Sequence, residues 1–321
     1  MSATLTLEAP FGTRLAAYLR ERFPLIGHGI LIVSYFSSNQ FLAEVLTAPD
    51  RPVAYGLYSV LGAVALFCFF FHLRVFDEHK DYADDCRHHP HRVLQRGLVT
   101  LGDLRRLGIV AIVVGAVAAL LAGWAAFVAW LIAFLFSLLM LREFFVGPWL
   151  KKRFLLYAIS HMLLLPLLAL MIFSFTTGQP PWQAPGWFWL YAFVGFFVSF
   201  NWEVSRKIRA PEQEIDGLDS YTKRFGVHGA AWVVLGIRVV DTALVMLVGW
   251  HLQLSPFFYL ALILLFLVCL VGFVQYRLDT NPRTAKRMET YAGLYIIAFD
   301  LILAVELIRR QGLEIAGLEV F

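Results

Sequence analysis

From Leu57 to Asp85 the chain reads LYSVLGAVALFCFFFHLRVFDEHKDYADD. The first part is an apolar run of roughly 20 residues, long enough to cross a bilayer as a helix, and it ends directly in a group of acidic residues. Carboxylates crowded at a membrane face repel each other unless a cation lies between them. This stretch therefore predicts a membrane-spanning helix that carries a cation site at one membrane surface.

The composition of the whole chain agrees with a membrane fold. Of its 321 residues, 60% are hydrophobic and only 16% are charged, and the mean hydropathy is +0.69. Such an excess of apolar residues excludes an ordinary soluble domain. The basic residues are confined to short loops between apolar runs, which argues against nucleic acid as a partner. The first ten residues lack the cationic start and apolar core of a signal peptide.

We predict an all-α, polytopic membrane protein with nine transmembrane helices, arranged as a bundle around a central cavity over residues 24–321. Residues 1–23 form an amphipathic N-terminal segment, in which Phe11 to Phe23 is predicted to be a helix on the membrane surface. The nine predicted spans are Pro24–Thr47, Val53–Phe76, Leu107–Ala122, Ala125–Leu141, Phe154–Phe175, Trp187–Asn201, Gly229–Trp250, Pro256–Tyr276 and Met288–Ile308. The third and fourth spans are separate only if the chain breaks at Gly123-Trp124.

The distribution of basic residues predicts the orientation. Lysine and arginine concentrate in the N-terminal segment and in the loops that follow the second, fourth, sixth and eighth spans, whereas the other loops hold almost none. Under the positive-inside rule, the N-terminus and these loops lie in the cytoplasm. Arg309 and Arg310 are the exception. We therefore expect an integral protein of the cytoplasmic (inner) membrane, with lipid around it and its acidic motifs on the cytoplasmic side.

A second acidic stretch follows the apolar run from Trp187 to Phe200. It contains Asn201, Glu203, Glu212, Glu214, Asp216 and Asp219, and it starts about 124 residues after Asp77. Each stretch ends an even-numbered span and is followed by a similar segment, Arg92 to Thr100 in the first case and Gly217 to Gly226 in the second. This organisation suggests a weak internal repeat, with two related half-sites facing each other across the bundle.

The spacing of the first acidic stretch suits a metal site. If the second span continues as a helix beyond the lipid, Asp77, Asp81 and Asp85 lie at i, i+4 and i+8, with Asp84 beside them. Like charges at this spacing destabilise an isolated helix. Hard carboxylate oxygens on one stripe are typical ligands of Mg²⁺, which takes one or two carboxylates together with phosphate oxygens of a substrate. The alternative is a solvated helix end that is merely acidic.

These residues resemble the UbiA-type intramembrane prenyltransferase superfamily. The first motif of that family, Asn-Asp-x-x-Asp-x-x-x-Asp, is similar to the acidic pattern from Asp77 to Asp85, and its Arg-Pro-Leu-x-x-Gly is similar to Arg92–Gly97. Its Pro-x-x-Lys-Arg element resembles Pro148–Lys152, and the tail of its second motif resembles Gly217–Gly226. The second motif departs from the family pattern, because Asn201 and Glu203 replace aspartates and the basic insert 205–209 follows them.

The resemblance implies a reaction and a set of site residues. It implies Mg²⁺-dependent transfer of an isoprenyl group from a prenyl diphosphate donor to a hydrophobic, lipid-soluble acceptor within the membrane. The expected metal ligands are Asp77, Glu78, Asp81, Asp85, Glu203 and Glu212. The expected catalytic cations are Lys151, Arg206 and Lys207. The expected ligands of the substrate diphosphate are Arg92, Lys151, Lys152, Arg206, Lys207 and Arg209.

Two other functions remain open from the sequence. The altered second motif is also compatible with an intramembrane terpene cyclase that acts on a prenyl diphosphate alone. Paired acidic half-sites could instead serve a coupling cation in a non-catalytic transporter or lipid-binding protein with the same fold. The position of the carboxylates, at the rim of the predicted bundle and not at its midplane, argues against the transporter.

Overall fold

The computed structural model describes residues 5–215 and 219–316 as a bundle of α-helices. The helices are α1 Phe11–Arg22, α2 Leu25–Thr47, α3 Leu57–Lys80, α4 Tyr82–His88, α5 Leu101–Ala122, α6 Trp124–Leu141, α7 Gly147–Lys151, α8 Phe154–Met162, α9 Leu164–Thr177, α10 Gly186–Arg206, α11 Tyr221–His251, α12 Pro256–Leu278 and α13 Pro282–Gln311. Two short strands, β1 Val53–Tyr55 and β2 Leu313–Ile315, and three 3₁₀ turns, Glu143–Phe145, Pro181–Gln183 and Pro211–Gln213, complete the described chain.

The prediction of a helical membrane fold is confirmed, but the count of nine spans is not. Within the described residues, eight helical segments are long and apolar enough to cross a membrane, with α8 and α9 counted together. The predicted span Trp187–Asn201 lies in α10, a 21-residue helix that is not among these eight. Its C-terminal part carries the polar side chains of the second acidic stretch, which lower its mean hydropathy. The central cavity stays a prediction.

Three local features decide where the helices break. The predicted span Phe154–Phe175 is divided at Leu163, because Pro166 lacks the N–H that would bond across the junction. Gly123 separates α5 from α6 with φ = 118°, which confirms the predicted break. Helix α11 begins at Tyr221, eight residues before the predicted Gly229. Gly226, with φ = 71°, interrupts its first turns.

The two ends of the bundle are built differently. At one end β1 and β2 pair in parallel, with Val53 opposite Leu313. This strand end also holds Glu306, which accepts two hydrogen bonds of 2.9 Å from Arg309 and one of 2.8 Å from the backbone N–H of Ser255. Arg309, one of the two exceptions to the predicted charge pattern, is thus paired with a neighbouring carboxylate.

The opposite end, where α3 and α10 terminate, is called the motif end below. Close helix packing holds α3 in place along its length: near the motif end Gly108 of α5 lies against Val75, and toward the strand end a side chain at Gly62 would come within 2.7 Å of the Phe36 ring of α2. Small residues allow such close approach of membrane helices. The C-terminal part of α3 is therefore held against α5, and its N-terminal part against α2.

Helix α1 packs on the motif end rather than lying only on a membrane surface. Tyr18 and Phe23 are buried, and Phe23 makes edge-to-face contacts with Phe67 and Phe71 of α3. Arg14 donates a 2.8 Å hydrogen bond to the carbonyl of Leu98. The expected amphipathic helix is present, but its apolar side is covered by the protein itself.

Candidate functional site

The first acidic stretch spans a junction between two helices. Helix α3 ends at Lys80, Asp81 has φ = −98° and ψ = 3°, and α4 begins at Tyr82. The helical hydrogen bonds nevertheless continue, since the N–H groups of Asp81 and Asp85 donate to the carbonyls of Asp77 and Asp81 over 2.9 Å. The predicted i, i+4 spacing of the three aspartates is thus retained across the junction.

Two of the acidic side chains face α1. Arg22 binds Glu78 through its Nε atom at 2.6 Å and approaches Asp85 at 3.6 Å, and Arg92 contacts Asp85 at 2.8 Å. The side chain of Glu78 is only 1% exposed. Since burial of an unpaired carboxylate is costly, Arg22 is the group that makes this position tolerable. Glu78 and Asp85, both expected as metal ligands, and Arg92, expected as a diphosphate ligand, are engaged with each other or with α1.

Asp77 and Asp81, at the same helix end, have no close cationic partner. The nearest basic groups to Asp77 are Lys80 Nζ at 3.7 Å and Arg74 Nη1 at 3.9 Å, both beyond hydrogen-bond distance. Among the described residues, Asp81 forms no ion pair. Asp81 is exposed as a residue, but partial desolvation of its carboxyl raises the pKa of this group. The positive charges of Lys80 and Lys151 lower this pKa, and the negative charges of Asp77 and Asp85 raise it. These two carboxylates have free oxygen lone pairs.

We expect Arg22→Ala to destabilise the fold by about 1–3 kcal/mol, because it leaves the buried Glu78 carboxylate without its partner. The measurement is the unfolding free energy, or the unfolding temperature, of the purified protein in one detergent. Arg20→Ala is the matched control, since Arg20 is an exposed residue of the same helix. Equal effects of the two substitutions would show that the Arg22–Glu78 pair does not stabilise the motif end.

The first turn of α8 touches both acidic stretches. Lys80 of α3 donates a 3.0 Å hydrogen bond to the hydroxyl of Tyr157. One helical turn earlier, the ring of Phe154 lies 5.4 Å from the ammonium group of Lys207 and 4.6 Å from the ring of Tyr221. Residues three apart on a helix share one face. Helix α8 therefore brings the end of α3 and the end of α10 together at the motif end.

At the end of α10, one carboxylate is held by two cations. Glu203 is bound by Arg206, whose Nε lies 2.5 Å from Oε2, and by Lys207, whose Nζ lies 2.6 Å from Oε1. The Glu203 side chain is buried, whereas the side chains of Arg206 and Lys207 are 43% and 30% exposed. This group of three residues is called the second cluster below. It carries a net positive charge toward solvent.

The remaining predicted residues of this region lie apart from the second cluster. Asn201 bonds within the bundle to Arg238, Glu212 is exposed on the Pro211–Gln213 turn, and Lys152 is exposed. Arg209 makes a long 3.4 Å contact to the carbonyl of Gln213. Asp216 and Gly217 lie outside the described residues. The structure thus groups Glu203 with Arg206 and Lys207 but does not bring Glu212 to them.

Lys151 is held by an unusual turn. Its ammonium group lies 3.0 Å from Glu143 Oε1, and this hydrogen bond raises the pKa of Lys151. Glu143, Phe144 and Phe145 have φ values of 48°, 54° and 59°, a left-handed conformation that costs each such residue on the order of 1 kcal/mol. Strain of this kind persists only where surrounding contacts enforce it, here beside an expected catalytic lysine.

The two acidic stretches differ in their fitness for Mg²⁺. Asp77 and Asp81 offer hard oxygen ligands without strong internal partners, and their mutual repulsion would be relieved by a divalent cation, so they fit the ion. Both carboxylate oxygens of Glu203 are already bound by cations, so the second cluster does not fit it. Across the described residues, no three His, Cys, Asp or Glu side chains are grouped so that they could hold a metal ion by themselves.

Sequence reasoning missed three residues of this region, namely Arg22, Glu143 and Tyr157. Arg22 lies 56 residues before Glu78, and Tyr157 lies 77 residues after Lys80. No local pattern links such positions. Of the three, only Glu143 is close in sequence to its partner, since it lies eight positions before Lys151.

A comparison with protein families matches residues 41–297 of the chain to the UbiA prenyltransferase family. A comparison with curated proteins finds no match.

Three solved structures share the fold of this chain at low sequence identity. The apo structure of a UbiA homolog from Aeropyrum pernix K1 has 16% identity and a TM-score of 0.67, with 88% of this chain and 97% of that chain covered. A digeranylgeranylglyceryl phosphate synthase has 16% identity and a TM-score of 0.60, with 92% and 99% covered. A UbiA homolog from Archaeoglobus fulgidus bound to GPP and Mg²⁺ has 15% identity and a TM-score of 0.56, with 90% and 99% covered.

Proposed function

The chain belongs to the UbiA prenyltransferase family, and from this premise we propose that it transfers an isoprenyl group from a prenyl diphosphate to a lipid-soluble acceptor, with Mg²⁺ as cofactor. The observation that carries the proposal is that one face of α8 contacts both Lys80, which lies beside Asp77, and Lys207 of the second cluster. A structurally similar protein is bound to GPP and Mg²⁺, which is the ligand pair that such an arrangement suits.

In this proposal the residues of the motif end have separate tasks. Asp77 and Asp81 would hold the ion, whose chemistry when bound is Lewis-acid stabilisation of the departing diphosphate. Lys151, Arg206 and Lys207 donate hydrogen bonds to the diphosphate oxygens, where negative charge develops as the bond to carbon breaks. Lys152 and Arg209, near the same end, are secondary candidates for this contact.

The proposed reaction balances without any oxidant or reductant. The C–O bond of the prenyl diphosphate breaks with its electron pair leaving on the diphosphate, and an allylic cation remains. A nucleophilic atom of the acceptor then donates an electron pair to that carbon and loses a proton. The cation must be kept from water, and the apolar, aromatic-rich bundle next to the motif end supplies a dry environment for it.

The test is diphosphate release from labelled prenyl diphosphates of several chain lengths by the purified protein in lipid nanodiscs. We expect release with Mg²⁺, at least a hundredfold less release after chelation with EDTA, and recovery when Mg²⁺ is added back. Heat-denatured protein in the same nanodiscs is the control. Absence of release at every chain length, with membrane lipids supplied as acceptors, would contradict the proposal.

The products separate this function from the alternatives. A prenylated lipid supports the transferase. A cyclic product formed from the donor alone would identify a terpene cyclase. Counterflow of a prenyl diphosphate across liposome membranes without diphosphate release would identify a transporter or lipid-binding protein.

A further inference from the structure

Both oxygens of the Glu203 carboxylate are already bound by cations and are therefore not available to a metal ion. Its Oε2 atom accepts a hydrogen bond of 2.5 Å from Arg206 Nε, and its Oε1 atom lies 2.6 Å from Lys207 Nζ. Charge-assisted contacts of this length are the strong class of hydrogen bonds. A divalent ion at Glu203 would have to displace both cations from a buried carboxylate and would then face their positive charge.

Arg206 and Lys207 are held in place, yet each still has N–H groups that could donate a hydrogen bond to a ligand. The Arg206 guanidinium lies 5.3 Å from the Trp202 ring, and the Lys207 ammonium lies 5.4 Å from the Phe154 ring. Such cation–π contacts fix the orientation of a cation without consuming its N–H donors. Arg206 binds Glu203 through Nε and Nη2, and its Nη1 has no hydrogen-bond partner in the described parts of the chain. The ammonium group of Lys207 has three N–H donors and makes one close contact.

Helix α8 contacts both the second cluster and the helix end that carries the first acidic stretch. Phe154 contacts Lys207, and Tyr157 on the same face contacts Lys80 beside Asp77. The end of α3 therefore carries two carboxylates without strong partners, and the end of α10 carries two partly exposed cations. A divalent ion fits the two carboxylates, and an anion with several oxygens fits the two cations.

We propose that this protein uses a single divalent ion, held at Asp77 and Asp81, and that the second cluster binds the diphosphate directly through Arg206 and Lys207. Glu203 acts as the internal counter-ion that positions these two cations and is not a metal ligand. This inference rests on the proposed function and replaces the expectation that Glu203 and Glu212 ligate a metal.

The decisive measurement is the number of Mn²⁺ ions bound per chain. Mn²⁺ serves as the probe, together with saturating geranyl thiolodiphosphate, an analogue whose C–S bond resists ionisation. Electron paramagnetic resonance counts the bound ions after subtraction of a protein-free sample with the same analogue. We expect one ion in the wild-type chain, one in Glu203→Gln and none in the Asp77→Asn/Asp81→Asn variant.

Two ions in the wild-type chain would overturn the inference while leaving the proposed function standing, and loss of one of them in Glu203→Gln would identify Glu203 as a ligand of the second ion. Failure of the wild-type chain to bind either Mn²⁺ or the analogue would contradict the proposed function itself, and the inference with it. The wild-type count needs no variant, so the test remains decisive even if Glu203→Gln does not fold.

The affinity of the analogue tests the role of the two cations. The variant Glu203→Gln/Arg206→Gln/Lys207→Gln removes the cations together with their counter-ion, so no buried charge is left unpaired. We expect it to bind the analogue about 10- to 100-fold more weakly while still binding one Mn²⁺ at saturation. Arg224→Gln, at an exposed arginine of the same end paired with Asp219, is the control and should not weaken binding. Unchanged affinity in the triple variant would overturn the inference.

Discussion

Replacement of Asp81 by asparagine is expected to lower the rate of diphosphate release about a thousandfold without destabilising the fold. The loss follows from the removal of one of two carboxylates that would hold the divalent ion, and a thousandfold corresponds to about 4 kcal/mol of transition-state stabilisation. Asparagine has nearly the same shape but lacks the charge. Asp81 forms no ion pair among the described residues, so the substitution breaks no internal contact of this kind.

The stability expectation for Asp81→Asn follows from its titration. The pKa of the folded-state carboxyl is raised, chiefly by desolvation, above that of the unfolded chain. The ionised carboxylate therefore costs folding free energy at neutral pH, and this cost disappears as the pH falls through the raised pKa. We expect the asparagine variant, without Mg²⁺, to unfold at the same temperature as the wild-type protein or slightly higher.

Asp84→Asn is the matched control, because it places the same substitution in the same motif. Asp84 is 65% exposed and pairs with Arg87 on the surface, so we expect release rates within about twofold of the wild-type protein. Release assays and thermal unfolding on the three proteins, at saturating Mg²⁺ and prenyl diphosphate, give the comparison. Equal losses in Asp81→Asn and Asp84→Asn, or no loss in either, would remove the assigned role of Asp81.

The second large effect concerns stability, and it lies inside the bundle. Arg238 and Asp241 on α11 are almost completely buried and pair over 2.9 Å. Arg238 also donates a 2.6 Å hydrogen bond to Asn201 and stacks 3.5 Å from the centre of the Tyr295 ring. We expect Asp241→Asn to destabilise the fold by about 3–5 kcal/mol, because it leaves the guanidinium charge buried without a carboxylate.

The measurement is unfolding of the purified protein in mixed micelles, with the Glu289→Gln variant as a matched control. Glu289 pairs with Lys286 at the surface over 2.8 Å, also across one helical turn, and its loss should cost less than about 1 kcal/mol. Substitution of both partners, Arg238→Met with Asp241→Leu, should recover part of the loss, because no unpaired charge then remains. Wild-type stability in Asp241→Asn would contradict the assigned role of the pair.

Helix formation in this chain is largely a local property, and the sequence predicts it well. The length of the apolar run before Asp77 indicated the span that forms most of α3, and Gly123 indicated the break between α5 and α6. The spacing of Asp77, Asp81 and Asp85 and the motif resemblance also come from neighbouring residues in the chain. These features depend on helical periodicity, burial in lipid and the φ preference of glycine, which act within a few residues.

Charge pairs within one helical turn follow from helical spacing, but the partners of other polar side chains were decided by the tertiary structure. Glu78 lies next to Asp77 in sequence, yet it points to α1 and binds Arg22, which is 56 residues away. Asn201 lies next to the second cluster but bonds to Arg238, 37 residues away. Partners so far apart in the chain are brought together by the packing of helices distant in sequence, and no local sequence pattern indicates them. The sequence alone thus determined that carboxylates and cations gather at one end of a helical bundle, and the tertiary structure decided which are neutralised internally and which remain free for ligands.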